Sequence, residues 1–211
     1  GLDGITLPKC SGADDVKRLD YMITDLEKKR GLPVGRIKMA ILIETAIGVM
    51  NVREAVFASP RLVAVIFGAV DYTRDMRVTR TDKADEQIFA RAMIGAAARS
   101  AGLVAEDAPF PNYSDDAAFE ANCRSGAQFG FEGRQIIHPR QIPIAHRVYS
   151  PDPERVAWAK KITKAFEEEG LAKGSASVGV DGQMVDTPVY RDGLNILARQ
   201  QEIEQKEAAK R

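Results

Sequence analysis

The chain has 211 residues, of which 45% are hydrophobic and 28% charged, enough to bury one good core and too few for several independent domains. Thirty Lys and Arg balance 30 Asp and Glu, so no overall field recruits nucleic acid or an anionic membrane. Any anionic substrate must therefore be held by local groups.

At the N-terminus, GLDGITLPKC has neither the basic n-region nor the apolar h-region of a signal peptide. The sequence opens without Met and almost directly into a strand-like run, Gly4 to Leu7, and the expectation is that a further N-terminal segment precedes it. After ITLPK, Ser11 is placed to cap a helix with Asp14 and Asp15 in its first turn. Val16, Leu19, Ile23 and Leu26 recur in it at helical spacing until Gly31. Ile37 to Ile43 is a nearly unbroken apolar run, followed by a helix through VMNVREAVFA; Leu62 to Phe67 is another, with a helix from Asp85 to Ser100. Apolar strands separated by helices predict a parallel sheet covered on both faces.

A fourth unit reads as a strand at Leu103 to Ala108 and a capped helix through SDDAAFEANCRSGAQFG, and a fifth as Gly133 to Ile137 followed by PRQIPIAHRVYS. This alternation fits either a doubly wound open sheet or a (β/α)8 barrel. Neither a Walker loop nor GxGxxG follows any strand, which removes the usual nucleotide-binding reason to prefer the open sheet. From Pro153 an amphipathic helix carries Val156, Trp158, Ile162 and Phe166 and ends in EEEG. Beyond it GSASVGVDGQMVDTP predicts a hairpin turning at Asp181-Gly182, and a last helix runs through LNILARQQEIEQKEAAKR. The reading divides the chain into a barrel portion, 1–169, and a C-terminal hairpin-helix flap, 170–211, that reaches a neighbouring subunit. No apolar run attains the roughly 18 residues that span a bilayer, and the expected location is a reducing cytoplasm.

In a parallel barrel catalytic groups lie just past the C-terminal ends of strands. Glu44 terminates MAILI and Asp71 follows VIFGAV. Two carboxylates on adjacent strand ends can converge on one hard cation, and Mg²⁺ commonly takes one or two carboxylates with water and substrate oxygens. Taken singly, either acid more often caps a helix or pairs with an arginine; the pair shifts the balance toward a site. Gly68 and Ala69 predict a loop whose N–H groups can approach a substrate carboxylate closely. Thr45 offers a hydroxyl or an N-cap, Asp107 a supporting carboxylate, and His138 either a base or a residue that orients its loop. His146 falls within a helix. Cys10 and Cys123 have neither disulfide pairing nor metal-ligand spacing, and Cys123 reads as a small buried residue.

The segments ILIETAIGVMNVREA, SPRLVAVIFGAVDYTRDMRVTRT, FARAMIGAAARSAGLVAEDAPF, FGFEGRQIIHPRQI and DGQMVDTPV together resemble the citrate lyase β-subunit-like family, which includes the malyl-CoA and citramalyl-CoA lyases. The resemblance implies a barrel of the pyruvate/phosphoenolpyruvate-binding type, with its first strands upstream of Gly1, assembled as a trimer or hexamer. It implies Mg²⁺ on Glu44 and Asp71, substrate contacts at Thr45, Gly68, Ala69 and Val70, and Asp186 as an acid/base delivered to the neighbouring subunit. Ile137, His138 and Pro139 are similar to the loop that shapes the pocket of the thioester carrier, either coenzyme A or an acyl-carrier protein. Val70 departs from the family, which often has an acid before the metal aspartate, and the family's substrate-gripping arginine belongs to an earlier strand, so no residue here takes that role.

The implied reaction is a reverse Claisen cleavage of a citryl- or malyl-type thioester to an acetyl thioester plus oxaloacetate or glyoxylate. The alternatives are thioester hydrolysis at the same site and, outside enzymology, an inactive scaffold subunit. Expected partners are the acyl thioester, further copies of the chain, an acyl-carrier protein and other lyase subunits.

Overall fold

The computed structural model describes residues 1–81, 83–172 and 174–209. They form two compact units, Gly1–Tyr149 and Ser150–Arg211. The first contains β1 (Gly4–Leu7), α1 (Ala13–Lys29), β2 (Lys38–Ile43), α2 (Ala46–Ala55), β3 (Leu62–Phe67), α3 (Ala69–Asp75), α4 (Ile88–Ser100), β4 (Val104–Asp107), α5 (Asp116–Gln128), β5 (Gly133–Arg134) and α6 (Gln141–Tyr149).

The five strands pair in parallel, in chain order, β1-β2-β3-β4-β5. Each crossover therefore advances one strand in the same direction, and right-handed crossovers of that kind place all the connecting helices on one face. There is no reversal of strand order, hence no switch point of a doubly wound sheet; this is the winding of a barrel. Among the described residues β1 and β5 do not pair with each other.

Alternation along the strands sets the core. Met39, Ile41 and Ile43 of β2 and Val65 and Phe67 of β3 are buried with Val49 and Val52 of α2 and Ile94 and Ala98 of α4. The alternate residues Ala40 and Leu42 are only half-buried, as period-two geometry requires when one face carries the helices. In β3 the alternate residues Ala64 and Ile66 are buried too, so there both faces of the sheet are covered. Between Met39 and Ala40 the register shifts, so that Val63 of β3 has no partner in β2.

Two local expectations are corrected. The Ser11 hydroxyl does not cap α1: Gly12 is the N-cap, and the Ser11 N–H instead donates to Asp15 Oδ2 at 2.9 Å, the first-turn acid reaching back to the segment ahead of the helix. The fifth strand is only Gly133–Arg134. Its pairing ends where Gln135 N–H reaches the Asp107 carbonyl, and Ile137 N–H is taken by the Gln141 side chain at 3.2 Å.

The second unit comprises α7 (Pro153–Ala165), one wide turn (Phe166–Leu171), β6 (Ser177–Val180), β7 (Gln183–Asp186) and α8 (Thr187–Ala208). Asp181 and Gly182 carry φ of 50° and 77°, the left-handed pair of a tight hairpin turn. Ile162 and Phe166 are buried against Val180 and Val185, which is why α7 belongs with the hairpin in the unit that begins at Ser150. Gly193 lets α8 approach α7, since a Cβ there would sit 2.6 Å from Ile162 Cδ1. Among the described residues no helix is long and apolar enough to cross a membrane.

Candidate metal and substrate site

Glu44 follows the last residue of β2 and is buried, 6% exposed. Its Oε1 accepts the Lys9 backbone N–H from the end of β1 at 3.0 Å, so two neighbouring strand ends fix the carboxyl. Asp71 lies in the first turn of α3. Its carboxyl acts on that of Glu44: burial first, then this second carboxyl, raise the Glu44 pKa above its ordinary value against the lowering effects of the Lys9 N–H and, through space, the Lys9 ammonium. Asp71 sits on a helical turn and not directly at a strand end.

Gly68 makes the approach possible. A Cβ at this position would lie 2.5 Å from Glu44 Cβ and 2.9 Å from Glu44 Oε2, distances that no side chain tolerates without displacing the glutamate. Gly68 and Ala69 do not form the expected loop; Gly68 is the N-cap of α3, and Ala69 and Val70 open the helix. Thr45 also has a structural task, its Oγ1 accepting the Gly48 N–H at 3.1 Å as the N-cap of α2. That bond occupies one of the two lone pairs of the hydroxyl.

An open pocket of about 330 Å³ is lined by Lys9, Glu44, Thr45, Asp71, Arg74, Asp75 and Arg77. Arg74 pairs with Asp71, but the arginine side chain is 73% exposed, and such pairs contribute only about 0–1 kcal/mol. This contact does not hold Asp71 against a stronger partner. Among the described residues no group of three or more His, Cys, Asp or Glu is placed to hold a metal. The arrangement available is a carboxylate pair completed by water and substrate, which is how Mg²⁺ is commonly bound. The residues fit such a cation: the donors are hard oxygens, and a dication would remove the penalty that burial and Asp71 impose on ionised Glu44.

The remaining candidates lie elsewhere. Asp107 is fully buried and receives both Nε and Nη2 of Arg91, at 3.2 and 2.9 Å, in a structural ion pair. His138 stacks on Tyr113 at 4.8 Å and accepts the Arg140 N–H at Nδ1; Ile137 beside it is exposed. Cys123 is buried, with Arg134 donating to its Sγ at 3.3 Å. Asp186 belongs to the second unit, where its Oδ1 accepts the Val189 N–H at 3.2 Å and caps α8. Sequence reasoning missed Lys9, Arg74, Asp75 and Arg77. Lys9 could have been found by its place after the ITLP run; Arg74 and Asp75 lie on a helix too short to show periodicity, and Arg77 just past its end.

The model of the family described as HpcH/HpaI aldolase/citrate lyase matches residues 1–139. The chain belongs to this family. It is 40% identical over 197 residues to the citrate lyase subunit beta of Leuconostoc mesenteroides subsp. cremoris, covering 93% of this chain and 65% of the relative. With the L-malyl-CoA/beta-methylmalyl-CoA lyase of Rhodobacter capsulatus it shares 32% identity over 219 residues, covering 96% of this chain and 68% of that one. Among solved structures, the CitE protein of Mycobacterium tuberculosis in complex with magnesium, acetoacetate and coenzyme A aligns at a TM-score of 0.73 and 28% identity, covering 94% of this chain and 68% of the other. The chain thus spans about two thirds of the length of the curated relatives it matches.

Proposed function

We propose that this chain carries the metal and keto-acid site of a carbon–carbon lyase that splits a citryl- or malyl-type thioester into an acetyl thioester and a 2-keto acid. The observation that carries the reading is the buried Glu44 set against Asp71 at the mouth of a pocket flanked by cations. The higher identity to a citrate lyase β subunit than to the malyl-CoA lyase favours a citryl thioester, with oxaloacetate as product.

Glu44 and Asp71 would hold Mg²⁺, which when bound supplies a Lewis acid beside the oxygen that changes from hydroxyl to carbonyl. The chain's own work is positioning. The Lys9 N–H and the missing Cβ of Gly68 keep the Glu44 carboxyl in place, and the opening N–H groups of α3, at Ala69 and Val70, are offered to the keto acid's carboxylate. In the cleavage direction the substrate hydroxyl gives up its proton to the Asp186 carboxylate, the C–C bond electrons become the enolate of the acetyl thioester, and the same Asp186 oxygen passes that proton on to the enolate carbon. Protons balance without any co-reactant. Ile137, His138 and Pro139 are assigned to the carrier's pocket, and the site is completed in a homotrimer or hexamer.

Glu44→Gln and Asp71→Asn test this reading. Each should abolish Mg²⁺-dependent release of acetyl thioester and weaken Mg²⁺ binding in calorimetric titration while leaving the melting curve cooperative. Full turnover in either variant at saturating metal would sink the assignment, and free acetate in place of acetyl thioester would reassign the site to hydrolysis.

A further inference from the structure

Four residues other than glycine hold positive φ among the described residues: Lys9, Arg77, Ala84 and Asp181. Asp181 is explained by the hairpin turn, and Ala84 precedes the 3-10 turn Asp85–Gln87. The other two, Lys9 at φ 48° and Arg77 at φ 57°, both line the Glu44–Asp71 pocket. Both are cations.

The backbone at Arg77 is an ordinary helix ending. Arg77 N–H donates to the Arg74 carbonyl at 3.1 Å and Val78 N–H to the Thr73 carbonyl at 3.0 Å, the paired bonds that close a helix around a left-handed residue. The geometry is usual and the residue is not, because glycine takes this conformation without the Cβ clash that arginine incurs. At Lys9 the left-handed turn aims the backbone N–H at Glu44, a task that glycine would perform equally well. In neither place does the backbone need the side chain.

Neither side chain is held in a close contact, though the Lys9 ammonium acts through space on the Glu44 carboxyl and favours its ionised form. Of the pocket's charges, Arg74 is occupied by Asp71, and Asp75 accepts the Ala46 N–H at 2.7 Å. Among the described residues neither the Lys9 ammonium nor the Arg77 guanidinium is in an ion pair. Both residues are exposed at the pocket.

Resting on the lyase reading, we infer that Lys9 and Arg77 are an oxyanion-binding pair, recognising a negatively charged group of the substrate beyond the carboxylate that meets the metal. Two sources present that chemistry: the second carboxylate of a dicarboxylic keto acid, or a phosphate of the thioester carrier. A guanidinium binds either in a planar fork, and an ammonium as a point charge.

Glycine substitution isolates the side chains, since Lys9→Gly and Arg77→Gly keep the backbone conformation and relieve its strain. Binding of oxaloacetate, pyruvate and coenzyme A to the full-length protein with Mg²⁺ is measured by calorimetry, beside the melting temperature. The expected result is that each variant melts at or above the wild-type temperature yet binds oxaloacetate about tenfold more weakly, with pyruvate unchanged. A loss confined to coenzyme A would support the pair with the carrier's phosphate as its ligand. If wild type binds these ligands and both variants bind all of them equally well, the inference is overturned while the lyase reading stands. Wild-type protein that binds none of them overturns both.

Discussion

At the scale of single residues, the site depends on an atom that is not there. Gly68→Ala would place a Cβ 2.5 Å from Glu44 Cβ, so the glutamate must swing away from Asp71. We expect about tenfold weaker Mg²⁺ binding and a stability loss of about 1–3 kcal/mol, the usual cost of overpacking, read from metal titration and denaturant unfolding. Glu44 also gives a pH dependence of definite sign. Its folded pKa is raised, so the folded state retains a proton that the unfolded chain has released, and metal-free protein loses stability as pH climbs from the ordinary glutamate value through the raised one. Mg²⁺ competes with that proton. The rise in melting temperature on adding Mg²⁺ should therefore grow as pH climbs above the ordinary glutamate value, and a rise that does not change with pH would contradict the assignment. Glu44 was legible in the sequence because it ends an apolar run; the strain at Lys9 and Arg77 was not, because sequence does not display φ.

At the scale of elements, a buried arginine ties α1 to the start of β3. Arg61 donates Nη1 and Nη2 to Glu27 at 3.0 and 2.7 Å, Nε to Asp20 at 2.6 Å and Nη2 to Thr24 at 2.7 Å. Glu27 also accepts the N–H groups of Gly35 and Ile37, so one carboxylate organises the α1–β2 connection. The Arg61 hydrogen bonds, with those two N–H groups and against burial, hold the Glu27 pKa down to about 2. A depressed carboxyl stabilises above its unfolded value and loses that contribution as pH falls from about 4.5 towards 2. Glu27→Gln should lower the melting temperature at neutral pH and flatten the acid limb of the stability curve in that window; an unchanged limb would remove Glu27 from the clamp. Little of this was readable beforehand, since Glu27 lies among charged neighbours in LEKKR and only the fold brings Arg61 to it. The βα alternation and the Asp-Gly hairpin were legible because each rests on local chemistry. Helix α3 and the end of β5 were not, because a seven-residue helix and a two-residue strand give no period to detect.

At the scale of the whole molecule, barrel winding follows from strand order, which the sequence could only narrow to two alternatives, while the role of the second unit rests on Asp186. That residue caps α8, so its removal confounds catalysis with folding. Asn caps a helix about as well as Asp but cannot exchange a proton, which makes Asp186→Asn the discriminating variant: activity should vanish while melting is preserved. If Asp186 serves a neighbouring copy, as we propose, two inactive proteins can repair each other. Asp71→Asn and Asp186→Asn, mixed after dissociation and reassembly, form oligomers in which an intact Asp71 of one subunit meets an intact Asp186 of another. In a closed symmetric assembly where each unit serves one neighbour, random mixing of equal amounts brings the two intact residues together at about one quarter of the sites. Activity should accordingly return to about a quarter of wild type and follow the mixing ratio. Oligomers shown to have exchanged subunits but still inactive would mean that Asp186 acts within its own chain or takes no part in the chemistry.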